Sequence, residues 1–160
     1  MTDRRWPDMC GGVIAELRRH PGRFALIETN AYTVEAAGRL AAMVDQQPLG
    51  VGATLTARLD AVDEHAVVDL LAPSLVLTDI DALFWRPRFG LDVLRLIRVI
   101  ARRGPGAVSV WPGVIVGGEA QYSEPGRVDH YRQVLSDALV LTPLETTFDD
   151  DPPFDVKRIP

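Results

Sequence analysis

Four short apolar runs, each closed by a turn or a breaker, constrain the fold more than any other feature of the chain. They read RFALIET at residues 23–29, SLVLTDI at 74–80, AVSVW at 107–111 and ALVLT at 138–142. Apolar side chains follow one another without the in–out alternation of a half-solvated strand, so each run needs cover on both faces, as in a parallel sheet. Helical patterns lie between them. Residues 12–20 carry Val13, Ile14 and Leu17 and stop at Pro21-Gly22. Residues 33–45 set Val34, Ala37, Leu40, Ala41 and Val44 on one face, with Thr33 as N-cap. Residues 56–71 are mostly helical in pattern and Pro73 breaks them. Residues 90–103 put Leu91, Leu94, Ile97 and Ala101 opposite a row of arginines. A weaker strand, burdened by two glycines, is expected at residues 49–53.

Strands alternating with helices predict an α/β domain with a mostly parallel, five-stranded sheet, flanking helices and residues 74–79 at its centre. Residues 114–123 predict a small β-hairpin insertion around Gly117-Gly118, and residues 127–134 a short helix. Pro143 is expected to stop the last strand. The domain is expected to span residues 1–146, followed by an acidic, proline-bearing tail over 147–160 that frays.

Composition narrows the function. With 160 residues and 47% hydrophobic content, the chain has enough apolar material for one sizeable core. The longest apolar stretches are interrupted by charge, far short of the ~20 residues of a membrane span, and no apolar stretch follows the charged N-terminus as a secretory signal would require. The lone cysteine, Cys10, allows neither an internal disulfide nor a thiolate zinc cluster, which fits a cytoplasmic location. Net charge is −5, there is one lysine, Lys157, and the arginines are scattered. Nucleic-acid binding draws on clustered cations, so direct DNA binding is not expected. No G-x-S-x-G elbow surrounds any serine, and His130 has no second ligand at metal spacing, so neither a hydrolase triad nor a metal site is expected.

One run carries a chemical signature. SLVLTDI leads into Asp81, so a buried strand ends in two acids, Asp79 and Asp81. In P-loop NTPases the Walker B strand ends this way, holding Mg²⁺ and polarising the attacking water at the carboxyl edge of the sheet. RFALIET followed by the helix from Thr33 supplies the preceding strand and helix in the right order. The connecting loop does not fit. Glu28, Thr29, Asn30, Ala31, Tyr32 and Thr33 stand where G-x-x-x-x-G-K-[ST] would wrap phosphates with backbone N–H groups and a lysine. Glu28 and Glu35 flank that turn and repel phosphate. The frame of a nucleotide site is therefore expected without its grip, and Asp79 is expected to cap the turn that follows it.

The block DIDALFWRPRFGLDVLRLIRVIARRGPGAVSVWPG, then YSEPGRVDHYRQ, then DALVLTP, resembles the BrxF family, small P-loop proteins of type III BREX phage-defence systems. The resemblance spans residues 75–143. It rests on the acidic strand end before Leu83-Phe84, the Leu-Asp-x-Leu helix start, the Trp111-Pro112-Gly113 strand end and the Glu124-Pro125-Gly126 turn. It implies that Asp79 and Asp81 occupy the Walker B region and that Trp111 lies where a nucleotide sensor would follow the fourth strand. It also implies a bacterial, cytoplasmic setting beside larger subunits. The family carries an intact phosphate loop, which this chain lacks.

These readings lead to a noncatalytic, P-loop-like accessory subunit of an anti-phage defence complex, working through protein contacts. Phe84, Trp85 and Trp111, with Arg86 and Arg88 beside them, are its candidate interaction residues, and Asp79 and Asp81 would be vestigial. No cofactor is expected and a homo-oligomer is allowed. Two alternatives stand beside it. One is an ATPase subunit that takes Mg–ATP in an atypical phosphate site; the other is a small DNA-associated module using Arg86, Arg88, Arg102 and Arg103.

Overall fold

The computed structural model describes residues 4–57, 63–84, 92–148 and 150–160. Helix α1 (Arg5–Arg19) leads into β1 (Phe24–Ile27), followed by α2 (Thr33–Ala42), β2 (Leu49–Gly50), α3 (Val51–Thr56), α4 (Glu64–Leu71) and β3 (Val76–Thr78). A 3₁₀ turn (Ile80–Phe84) precedes α5 (Val93–Arg103) and β4 (Val108–Val110). Then come β5 (Val114–Val116), β6 (Glu119–Tyr122), β7 (Tyr131–Val134), β8 (Ala138–Pro143) and β9 (Phe154–Ile159).

The main sheet has six strands in the order β2-β3-β4-β1-β8-β9. The first five are parallel and β9 runs antiparallel to β8. Both faces are covered, as the continuous apolar runs require. Ala25, Ile27, Val76, Val108, Leu139 and Leu141 pack under α1 and α2. Phe24, Leu26, Leu77 and Val140 pack under α3, α4 and α5. The α/β class and the mostly parallel sheet are therefore as the sequence implies, but several details differ.

The acid-ended strand β3 is interior but not central; β4 and β1 hold the middle. The hairpin around Gly117 and Gly118, both at positive φ, is the first half of a three-stranded antiparallel meander, β5-β6-β7. Its third strand is the segment expected to be a short helix. Tyr131 and Leu135 are buried while Arg132, Gln133 and Val134 are exposed, and pairing with β6 supplies the backbone partners that a helix would otherwise provide.

The expected tail is also corrected. Phe154 is fully buried against Trp6, their ring centres 6.2 Å apart, and six consecutive residues of β9 pair with β8 through Pro143. An acidic linker precedes the strand, and its apolar anchors hold it. On α2, Val34 is 85% exposed, and the buried face runs through Thr33, Ala36, Ala37, Leu40 and Ala41. The glycine-bearing stretch 49–53 makes only a two-residue strand before turning into α3 at Val51.

At the amino edge of the sheet, Glu16 of α1 is buried and pairs with two arginines, Arg158 of β9 at 2.9 Å and Arg23 at 3.1 Å. Arg23 continues to Asp137 at 2.8 Å. This chain of ion pairs ties α1 to both the entry of β1 and the edge strand.

Candidate functional site

The carboxyl ends of β1, β3, β4 and β8 meet at the edge where open α/β sheets bind ligands. The loop after β1 spends most of its polar groups on itself and on the neighbouring strand ends. Glu28 N–H donates to Leu141 O at 2.9 Å, Asn30 N–H to Thr33 Oγ1 at 2.8 Å, Tyr32 N–H to Asn30 Oδ1 at 2.8 Å and Thr33 N–H to Asn30 O at 3.3 Å. The side chains close the same knot. Thr33 Oγ1 donates to Glu28 O at 2.7 Å, Asn30 Nδ2 to Pro143 O at 2.8 Å and Thr29 Oγ1 to Trp111 O at 2.7 Å. Thr33 therefore serves α2 from inside its first turn; the N-cap position belongs to Tyr32, which makes no side-chain cap. The Tyr32 phenol neighbours Glu145 beyond β8, and burial, then that carboxylate, raises it above the ordinary value. The edge thus presents Glu28, Glu35 and Glu145, with Glu35 paired to Arg39 at 3.7 Å.

The two acids after β3 are held differently. Asp79 sits at φ 53°, in the left-handed region that Asp tolerates better than most residues. Its backbone carbonyl accepts Gly52 N–H at 3.1 Å. The side chain does not cap the following turn as expected: it is exposed and makes no hydrogen bond or ion pair among the described residues. The reversed backbone swings the carboxylate over the start of α3 instead. A Cβ placed on Gly52 would meet Asp79 Oδ2. Asp81 accepts a hydrogen bond from the Tyr122 hydroxyl at 3.1 Å. Burial, then the Asp81 charge, pushes the Tyr122 phenol up to about 12.

Phe84 and Trp111 were expected to face a partner, and both are buried, at 2% and 0% exposure. Phe84 stacks on Tyr122 with ring centres 4.0 Å apart and meets Trp111 and Tyr131 edge-on, each at 5.4 Å. Trp111 Nε1–H donates to Gln121 O at 3.0 Å. The four rings join the sheet edge to the meander, so these residues are internal anchors and not docking groups. Trp85, Arg86 and Arg88 lie outside the described residues. Tyr122 and Tyr131 escaped the sequence reading because a helix over 127–134 hides their register; as strand neighbours they stand directly opposite.

The arginines of the DNA reading are partly engaged. Arg103 pairs with Asp69 at 2.7 Å, and Arg102 lies against Gly22, its Nε 2.8 Å from where a Cβ would stand. Among the described residues no group of three metal-ligating side chains converges, and no helix is long and apolar enough to cross a membrane.

No protein-family model, no curated protein and no solved structure matches this chain.

Proposed function

We propose that this protein is a P-loop-like scaffold that has given up nucleotide for protein contact, an accessory subunit of a larger assembly. The observation that carries the proposal is the self-satisfied loop after β1. A phosphate loop works because its backbone N–H groups are free to converge on an anion. Here the amides of Glu28, Asn30, Tyr32 and Thr33 are all bonded within the protein, and the surrounding charges are acidic. The strand order supports the P-loop-like part of the reading. Parallel strands ordered β2-β3-β4-β1-β8 put one strand between the first strand and the acid-ended one, the arrangement used by a large class of P-loop NTPases.

Protein contact is favoured by the outer face of the meander. Val114, Val116 and Val134 are 57%, 64% and 71% exposed and lie on one face with the Arg132–Glu119 ion pair. The BrxF resemblance adds a setting, a bacterial phage-defence complex with larger subunits in the cytoplasm. Two measurements test the proposal. Calorimetry with Mg–ATP gives no binding at tens of micromolar, and the tagged protein from its host retains larger subunits that are lost when Val114 and Val116 are both changed to Lys. Stoichiometric Mg–ATP binding, or recovery of the protein alone, sinks it.

One observation favours the second reading, an ATPase subunit whose phosphate site is completed by a partner. The Asp79 carboxylate is exposed and unpaired at the sheet edge, free for Mg²⁺ carried in with a nucleotide. On that reading Asp79→Asn abolishes function at unchanged melting temperature; on the scaffold reading it leaves function intact.

A further inference from the structure

We propose that two copies of this chain associate edge to edge through β9, joining their sheets antiparallel about a two-fold axis that passes by Val156. This goes beyond the scaffold reading and does not depend on it.

The sheet has two edges of unequal character. β2, at one edge, has two residues, too short to template a neighbour. β9, at the other, has six, all paired with β8 on one flank. Among the described residues no backbone group of β9 has a hydrogen-bond partner on the outer flank. A long open edge of this kind recruits another strand unless something blocks it. Natural edges are commonly blocked by charged side chains, lysine above all, whose charge a like copy repels. Here the outward charges are of opposite sign and two residues apart: Asp155 and Lys157, both exposed on the same face of β9.

That spacing makes the strand complementary to itself. A two-fold axis perpendicular to the sheet keeps each copy's faces aligned, so directly opposed residues come from the same face. With Val156 set against Val156 of the second copy, Asp155 stands opposite Lys157 of the second copy, and Lys157 opposite its Asp155. The pairing makes two cross-strand ion pairs on one face, of the kind that stabilises antiparallel neighbours. On the other face, toward α1, Val156 meets its counterpart and Phe154 stands opposite Arg158 of the second copy. A pairing shifted by one residue in either copy breaks the match of faces.

The side of the edge under α1 is open as well. A groove of about 370 Å³ runs between α1 and β9, lined by Met9, Gly12, Val13, Phe154 and Val156 among others. No heavy atom lies within 4 Å of where a Gly12 Cβ would stand. The helix therefore leaves room for the incoming copy's side chains beside Val156.

The test is made on the full chain by sedimentation at concentrations up to about 200 μM. The expected result is a reversible dimer. Asp155→Lys, an exposed change that sets like charges opposite each other, weakens it at least tenfold, and adding Lys157→Asp restores it. Register is read by oxidation of single cysteine variants. Residues opposite each other on paired strands are close enough for a disulfide to span, so Val156→Cys gives a covalent dimer on a non-reducing gel and Asp155→Cys does not. Cys10 does not interfere, being buried with its thiol pushed up to about 11 by that burial. A chain that stays monomeric at the highest concentration overturns the proposal. So does a dimer indifferent to Asp155→Lys, or equal cross-linking at 155 and 156.

Discussion

At the scale of single residues, the sharpest arrangement is the contact between Asp79 and Gly52. Asp79 pays for a left-handed backbone, and its carboxylate occupies the space a side chain at position 52 would need. The carboxylate is the free end of an exposed side chain and can swing aside, so Gly52→Ala is expected to cost at most about 1 kcal/mol, offset in part by the better helix propensity of Ala in α3. Asp79→Gly removes both the carboxylate and the backbone strain, so it is expected to be neutral or stabilising by up to about 1 kcal/mol. In that background Gly52→Ala loses most of its cost. Urea unfolding of the two single variants and the double variant measures the coupling, and additive effects would refute the contact. Tyr122 gives a pH prediction. Its phenol is raised to about 12 from an ordinary 10. Above pH 10 the unfolded chain gives up this proton before the folded chain does, so the folded state binds more protons and loses stability as pH rises from 10 to 12. Asp81→Asn removes one of the two named causes and leaves burial, so absorbance titration should find the Tyr122 midpoint lowered toward 10 without reaching it.

At the scale of elements, the joint between α5 and the meander is built from one hydroxyl. Tyr131 donates to Asp92 Oδ1 at 2.5 Å and accepts Leu94 N–H at 3.2 Å, while Asp92 caps α5 by accepting Arg95 N–H at 3.3 Å. Tyr131→Phe keeps the ring among Phe84 and Trp111 and removes that bridge. The expected cost is about 1–2 kcal/mol, from a hydrogen bond to a charged acceptor and a released amide, measured by denaturant midpoint at unchanged m-value. The opposite edge depends on Glu16, whose carboxyl is held below its ordinary 4.5 by hydrogen bonding to Arg158 against the cost of burial. A carboxyl depressed by folding contributes stability above that ordinary value and loses it as pH falls below. Glu16→Gln should therefore lower stability at pH 7 by about 2 kcal/mol, less than a fully buried pair because Arg158 reaches solvent, and flatten the acid limb of the stability curve. These two joints were also the hardest parts to read in advance. The buried strands announced themselves because two covered faces demand unbroken apolar runs. β7 and β9 did not, because each has one exposed face and charged outward residues. Their strand character depends on β6 and β8 being already in place, a tertiary fact that RVDHYRQV and FDVKRI do not carry alone.

At the scale of the whole molecule, the question is whether a sheet with this strand order binds nucleotide. The site was legible only in part. Asp79, Asp81 and the missing glycines and lysine could be read directly, whereas the closure of the loop by Thr29, Asn30 and Thr33 depends on Trp111 and Pro143, more than 80 residues away. That closure sets the magnitude of the effect. Opening it to free amides for phosphate breaks the bonds from Asn30 and Tyr32 within the loop, each contributing about 1 kcal/mol. The missing lysine and wrapping amides forgo two or three charge-assisted bonds of about 1.5–3 kcal/mol each. The total carries a micromolar site past millimolar. Mg²⁺ on Asp79 would offset only part, since it keeps most of its waters and bridges phosphates already held by protein. The expected outcome is that Mg–ATP at about 1 mM leaves the melting temperature unchanged within about 1 °C. A site with a dissociation constant near 10 μM would stabilise the fold by about 2.7 kcal/mol at that concentration and raise the melting temperature by roughly 5–10 °C. A shift of that size, abolished by Asp79→Asn, would mean that another segment has taken over the phosphates and that the scaffold reading is wrong.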